Sequence, residues 1–475
     1  MGKKSSSQFE DSRLDVTSWD FLEAITSRYS IIIRQIAENK NIETRFQNFL
    51  RNPKVNPNRI ISHHWENIQA DWSKEHVLVI SDSSTLSFSY RADREELGNV
   101  GGVQSKTKPK YTGFDIHPSI FINASTGSLQ GLGGVDIIKT PLVKDERDKL
   151  EQELRRKTYP RLPFEEKDRY KWFNSPMKGI ENAPKAKQYT LIGDRETDIY
   201  DLMHRTLEEG HDFIYRSTHN RRLFPLTTKQ NLHDALSKKE IGFSYHLDVE
   251  QTKHRSKHEA LLDVIPIAIG NDNLCLARPK THMDKTLPEY LKIQVIEVKE
   301  NSSTVFPDEK PIHWILLSSH PVENAQQAMQ IIRWYLERWT IEELFRSLKR
   351  KGLNIEASEV ETFNGLTNLA TLALLAATQT MQLVNAREGE TQQKIEDVFF
   401  EKEQDCLILL NEKLQGNTQK TQNPYPMDTL AFGAWVIARL GGWNGYQSER
   451  PPGPITFTRG LTQFYQILKG FYLIL

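Results

Sequence analysis

The chain has 475 residues, enough for about three domains of ordinary size. Its 62 Lys and Arg balance 62 Asp and Glu, so composition alone does not mark a nucleic-acid binder, and any anionic partner must meet cations concentrated locally. Apolar residues at 38% and charged residues at 26% are those of a soluble protein; two cysteines, Cys275 and Cys406, exclude a disulfide framework or a Cys-built zinc site, and the longest apolar run, 369–377, is too short to span a bilayer.

The opening MGKKSSSQFEDSR has no apolar run, so no signal peptide is expected. Residues 1–60 read as mildly basic and helical, with an amphipathic pattern over 21–37 carried by Phe21, Leu22, Ile25, Tyr29, Ile32, Ile33 and Ile36. No helix-turn-helix pattern stands out there. Residues 76–82, HVLVISD, predict a buried strand with Asp82 at its end, either a turn residue closing the strand or a placed carboxylate. A hairpin is expected over 115–139, with strands 116–123 and 128–138 around a turn at 124–127. The run KDERDKLEQELRRK (144–157), inside the charge-dense 142–175, predicts a solvated helix without chemistry.

Residues 189–194, YTLIGD, predict a second strand ending in Asp194, followed by a helix opening at RETDIY (195–200). Glu196 and Asp198 suit the first turn of such a helix, and Asp194 is either its N-cap or a second placed carboxylate. A third strand, 211–216, ends in Arg216. Between 216 and 311, short alternating segments (243–249, 261–269, 293–298) predict a β-rich insertion. Residues 214–258 hold nine Lys/Arg against four Asp/Glu, with five His, which is either a local cationic surface or a charged hairpin tip. The His show no metal-ligand spacing. Residues 312–319 return as a strand bearing Trp314, a core ring or a base-contacting one.

Residues 333–351, RWYLERWTIEELFRSLKRK, contain no Pro or Gly and many good helix formers, which predicts one continuous helix. With Tyr335 at zero and about 100° per residue, Arg338, Glu342 and Lys349 fall at roughly 300°, 340° and 320°, one polar strip. Trp334, Ile341, Leu344, Phe345 and Leu348 gather at roughly 180–280°, an apolar face. Glu342 is then a carboxylate among a phenol and two cations, while Glu337 and Glu343 point elsewhere. On a generic helix such a strip is a solvated salt-bridge ladder. Further on, 353–386 read as an apolar helix and the chain is polar to about 427. After Arg450-Pro451-Pro452-Gly453-Pro454, a last helix carries Leu461, Phe464, Ile467, Leu468, Phe471 and Tyr472, ending Leu473-Ile474-Leu475. An apolar chain end wants burial, in the core or against a partner.

The spacing Tyr335-x2-Arg338-x3-Glu342-x6-Lys349 resembles the Y-R-E-K signature of the insertion-sequence-four family of DDE transposases, and the flanking Arg338-Trp339-Thr340-Ile341-Glu342-Glu343 is similar too. Asp82-Ser83-Ser84-Thr85-Leu86 resembles that family's first-Asp motif, and Gly193-Asp194-Arg195-Glu196-x-Asp198 its second. Looser likeness runs through 46–53, Pro321-Val322-Glu323 with Gln327-Ala328, and 434–443, so that it covers roughly 46–475. The resemblance implies that Asp82, Asp194 and Glu342 are catalytic and metal-binding, and that Tyr335, Arg338 and Lys349 bind the non-transferred DNA strand. It adds Trp314 as a base contact, and Arg216 joins the DNA-binding set from the end of its strand.

Two strand ends and a helix, about 110 and 150 residues apart, bring three acids in the order a ribonuclease-H-like fold uses. Three close carboxylates repel one another unless divalent cations occupy them, and oxygen ligands suit Mg²⁺ or Mn²⁺, two ions about 4 Å apart. The expected fold is α/β: a ribonuclease-H-like catalytic domain over 61–370 with a β-rich insertion at about 220–313. It is flanked by an N-terminal helical DNA-end-binding region (1–60) and a C-terminal helical dimerisation region (371–475). The expected function is cut-and-paste transposition. Double-stranded transposon ends and target DNA are the partners, cleavage runs through a hairpin, and a homodimer pairs the ends in the bacterial cytoplasm, at the nucleoid, with no membrane. A metal nuclease without strand transfer, or a non-catalytic DNA-binding regulator derived from a transposase, are the alternatives.

Overall fold

The computed structural model describes residues 7–471, apart from 67, 69, 90–96, 106–107, 140–145, 250–254, 268–273, 281, 350–351, 392, 419–420 and 447–449. The expectations placed on 144–145, 268–269, 350–351 and 472–475 lie outside the described residues. The chain divides into two compact units, the first from Met1–Gln152, Asn174–Lys187 and Trp339–Leu475, the second from Glu153–Phe173 and Gln188–Arg338. The architecture is mixed α/β.

In the first unit the strands are β1 (His76–Ser81), β2 (Ser84–Ser89), β3 (Gly98–Ser105), β4 (Lys108–Asn123) and β5 (Leu129–Ile138). All pair antiparallel, and all meet β4. One edge of this 16-residue strand carries β2 and then β1; the other carries β3 and then β5. On β1 the consecutive residues Val77, Leu78, Val79 and Ile80 are all fully buried, so both faces of the strand are covered. The turn 124–127 closes the expected β4–β5 hairpin with Gly127 at φ +69°, where a side chain would be strained.

The 24-residue helix Phe363–Ala386 is apolar on nearly every side, which marks a helix buried all round. It lies against β5 and is ringed by the helices Ser12–Arg28, Lys40–Arg51, Pro57–Trp65, Leu430–Leu440 and Pro454–Phe471. From it Asn368 donates to the carbonyls of Leu50 and Val55 at 3.1 and 3.2 Å, fastening the start of the chain to the middle. The amphipathic stretch 21–37 is not one helix. The first helix stops at Tyr29, whose φ of +45° closes it with a left-handed cap, and a short helix Ile33–Ile36 follows. The last helix buries Phe457, Leu461, Phe464, Tyr465 and Leu468 in a core shared with Phe399, Trp435 and Ile437. Its apolar face is thus used inside its own unit, and Ile455 and Ile467 are left exposed. No helix among the described residues is long and apolar enough to cross a membrane.

The second unit holds β6 (Gln188–Gly193), β7 (Asp212–Arg216), β8 (Phe243–Val249), β9 (His258–Ile267), β10 (Leu274–Ala277), β11 (Tyr290–Glu300) and β12 (His313–Ser318). The order is β6-β7-β12-β11-β9-β8, with β10 also on β11. β6 and β7 are parallel, joined through the helix Tyr200–Glu208, and the remaining pairs are antiparallel. The strands between β7 and β12 therefore widen the same sheet, because β11 pairs with β12 through Lys299–His313 to Gln294–Ser318.

Candidate active site

In the first unit Asp82 stands one residue past β1, and its Oδ1 accepts the Ser83 N–H at 2.7 Å. Ser83 Oγ is 2.9 Å from His117 Nδ1 on β4, and Thr85 donates to Asp115 Oδ1 at 2.6 Å, so two residues of one β4 face brace the chain after Asp82. Glu342 lies in the first turn of the helix Trp339–Leu348, where the helix dipole favours an acid. Lys349 is past that helix, and its Nζ donates to the Thr85 carbonyl at 2.7 Å. Burial pulls the Lys349 pKa down, and Glu356 and Asp115 oppose this. Glu356 also accepts from the Ser87 N–H and hydroxyl at 2.9 and 3.1 Å. Neither Glu356 nor Asp115 was singled out from sequence; the alternation of Asp115 and His117 along a strand was the available signal.

In the second unit Asp194 stands one residue past β6. Its Oδ1 accepts the Glu196 N–H at 2.8 Å, capping a single 3₁₀ turn, Arg195–Thr197, and its second oxygen makes no hydrogen bond to the described residues. The helix expected from 195 begins only at Tyr200. Asp198 is not a dipole-complementing surface acid. It is 4% exposed, ion-paired with Arg221, and accepts from the Ser217 hydroxyl and the Thr218 and His219 N–H groups at 3.1, 2.8 and 2.8 Å.

Arg216 ends β7 and donates to the His313 carbonyl at 2.8 Å. Beside it the Tyr335 hydroxyl is buried, faces the Arg216 side chain, and has no hydrogen bond of good geometry among the described residues. Burial raises the Tyr335 pKa; Arg338 and Arg216 oppose that rise and Asp194 adds to it. Burial lowers the Arg216 pKa, with Tyr335 acting against it and Arg195 and Arg338 with it. A phenol, guanidinium groups and the Asp194 carboxylate therefore form one electrostatic cluster within this unit. Trp314, 7% exposed on β12 opposite Val298, packs its ring 5.6 Å from that of Tyr335 at 59°.

The expected helix 333–351 is two helices, Ala325–Leu336 and Trp339–Leu348, with Glu337 and Arg338 in a turn between them. The four signature residues do not share a strip of one helix. Tyr335 and Arg338 belong to the second unit, Glu342 and Lys349 to the first. The reason is the phase of burial. On a straight helix with Tyr335 at zero, the buried Ala328, Ile331, Ile332 and Tyr335 would centre near roughly 10°, and Ile341, Leu344, Phe345 and Leu348 near roughly 230°. One straight helix cannot bury both faces in their own cores, so the chain turns where the phase jumps. The Arg338 N–H bonds the Tyr335 carbonyl at 3.2 Å, a tightened last turn.

Residues 176–379 match the family model for a transposase DDE domain. The matched domain spans Asp194, Arg216, Trp314, Tyr335, Arg338, Glu342 and Lys349, and Asp82 precedes it. The match supports a DDE transposase family, and with it a phosphoryl-transfer enzyme acting on nucleic acid. Such enzymes ordinarily use divalent metals, and the carboxylate oxygens of Asp82, Asp194 and Glu342 are the hard donors that Mg²⁺ or Mn²⁺ takes. Among the described residues no group of three or more His, Cys, Asp or Glu stands at metal-binding distance.

The packing of Trp314 within the matched domain sets an expected result. Trp314→Ala removes a buried ring and should cost about 3–5 kcal/mol of stability. Melting curves run beside a cleavage time course check it: a lowered melting point should accompany a parallel fall in every DNA product. Unchanged melting with only a late product slowed would instead make Trp314 a base contact.

Proposed function

We propose that the chain is a transposase of the insertion-sequence-four type with a ribonuclease-H-like core, cleaving the ends of its element and joining them to target DNA. The observation that supports this best is the placement of the two Asp residues. Each stands one residue past a buried strand, and each has one carboxylate oxygen held by a following backbone N–H. Glu342, inside the matched domain, opens a helix and completes the order Asp, Asp, Glu.

In this reading the carboxylates of Asp82, Asp194 and Glu342 are the ones that would hold divalent ions, which supply activation of the attacking oxygen and stabilisation of the leaving one. The chain's own cations orient the DNA. Arg216 and Arg338 offer guanidinium forks to backbone phosphates, and Tyr335 adds a hydroxyl donor. Lys349 gives one N–H to the Thr85 carbonyl, and its ammonium would meet a backbone phosphate as a point charge. Water attacks the phosphodiester at an element end and releases a 3′-hydroxyl; that hydroxyl attacks the opposite strand, giving a hairpin that is reopened before transfer. Two copies of the chain hold paired ends.

Incubating the purified chain with labelled element-end duplex and Mg²⁺ should give nicked, then hairpin, then target-joined DNA on denaturing gels. Nicked product without joining would make it a nuclease. Retarded DNA with no product under any divalent ion would make it a binding protein.

A further inference from the structure

The first unit contains a cavity of about 330 Å³ lined by none of the candidate site residues. Four rings border it, those of Trp19, His64, Phe400 and Tyr465, with Trp19 set edge-on to Phe400 at 5.1 Å. Three carboxylates border it as well, Glu23, Asp397 and Glu403, and among the described lining residues there is no Lys or Arg. His64 adds no positive charge, because burial pulls its pKa down to about 4.

Glu403 is 7% exposed and accepts the Phe400 N–H at 2.8 Å, with the Tyr465 hydroxyl beside it. Asp397 accepts the Lys394 N–H at 3.2 Å, and Glu75, Glu396 and the Lys394 ammonium also face it. Lys469 stands 3.8 Å from Glu23 but 2.5 Å from Glu38, so its ammonium is spent mainly outside the cavity. Gln382, 6% exposed, donates its amide to the Gln130 carbonyl at 2.9 Å, and its own carbonyl oxygen has no hydrogen bond to the described residues. A carboxylate as enclosed as that of Glu403 is costly in its ionised form unless a donor or a cation meets it.

We infer that this cavity binds a small organic cation, an alkylamine or diamine, whose ammonium meets the carboxylates and the Gln382 carbonyl while its carbon chain lies against the rings. Acids supply the charge and aromatic faces the cation–π contact that favours alkylammonium ions.

Titratable groups give the inference a signature. Burial pushes Glu403 up to about 7 and Asp397 up to about 6, and it raises Glu23. A cation binds their ionised forms, so its affinity is full above these values and is lost as pH falls through them. Titration calorimetry of the full chain with 1,4-diaminobutane should show one-to-one binding at about pH 8 that weakens at least tenfold at about pH 5.5. Glu403→Gln, which keeps the shape, should weaken binding at about pH 8 at least roughly tenfold without lowering the melting point. If that variant does not fold, Asp397→Asn serves in its place. No binding at about pH 8, equal affinity in the variant, or equal binding of 1,4-butanediol or potassium chloride would overturn the inference.

Discussion

Asp194→Ala and Glu342→Ala should each lower cleavage of an element-end duplex by at least about 10³-fold, roughly 4 kcal/mol of barrier, while gel retardation by the same DNA changes little. Asp82→Ala should behave alike. The expectation rests on the proposed reading: each substitution removes a carboxylate donor but leaves Arg216, Arg338 and Lys349 for the phosphates. Glu343→Ala is the internal control. Glu343 is exposed, beside Glu342 in sequence, and paired on the surface with Arg346, an interaction of small worth. Its variant should cleave within about twofold of the parent chain. If Glu343→Ala and Glu342→Ala lose activity equally, Glu342 has no special role and the Asp, Asp, Glu assignment fails.

The second large effect concerns folding and separates two acids of one short motif. Asp198→Ala should destabilise the second unit by about 3–5 kcal/mol, because it strands the buried Arg221 guanidinium and frees the Thr218 and His219 N–H groups at once. For a unit of this size the melting midpoint should fall by roughly 6–20 °C. Glu196→Ala, two residues earlier, removes only an exposed carboxylate 3.5 Å from Lys171 and should cost under about 1 kcal/mol. Differential scanning calorimetry of the two variants decides the matter. Equal, small shifts would show that the 217–221 segment is held by something other than Asp198.

Much of the fold was readable from local pattern. Runs such as VLVI and YTLIG are short, apolar and β-favouring, so β1 and β6 and the Asp after each could be placed from sequence. The β4–β5 hairpin showed through its turn, although β4 starts earlier than expected, at Lys108. What stayed hidden depends on partners far along the chain. β3, GNVGGVQS, has little strand propensity and exists because β4 offers it an edge. Asp198 looked like a first-turn acid because nothing local announces Arg221, 23 residues on. The joint at Glu337–Arg338 has no Pro or Gly to signal it, and good helix formers on both sides argued for continuity. Only the change of buried phase shows it, and that needs the knowledge of which residues are buried. Tyr335, read as a polar donor on an open strip, is in fact largely enclosed.

The order in which the two units can be completed follows from how their segments are threaded. The second unit has every piece once residue 338 has been made, whereas the first still waits for 339–475, which includes the helix Phe363–Ala386 that its other helices surround. At about 5–20 residues per second on the ribosome, that wait is roughly 7–27 s. During it, β5 and the helices of the first 65 residues have no central helix to pack on, and their apolar faces stay open to solvent or to a chaperone. Slower synthesis beyond residue 338 should therefore raise aggregation of the nascent chain, and supplying the missing segment in trans should relieve it.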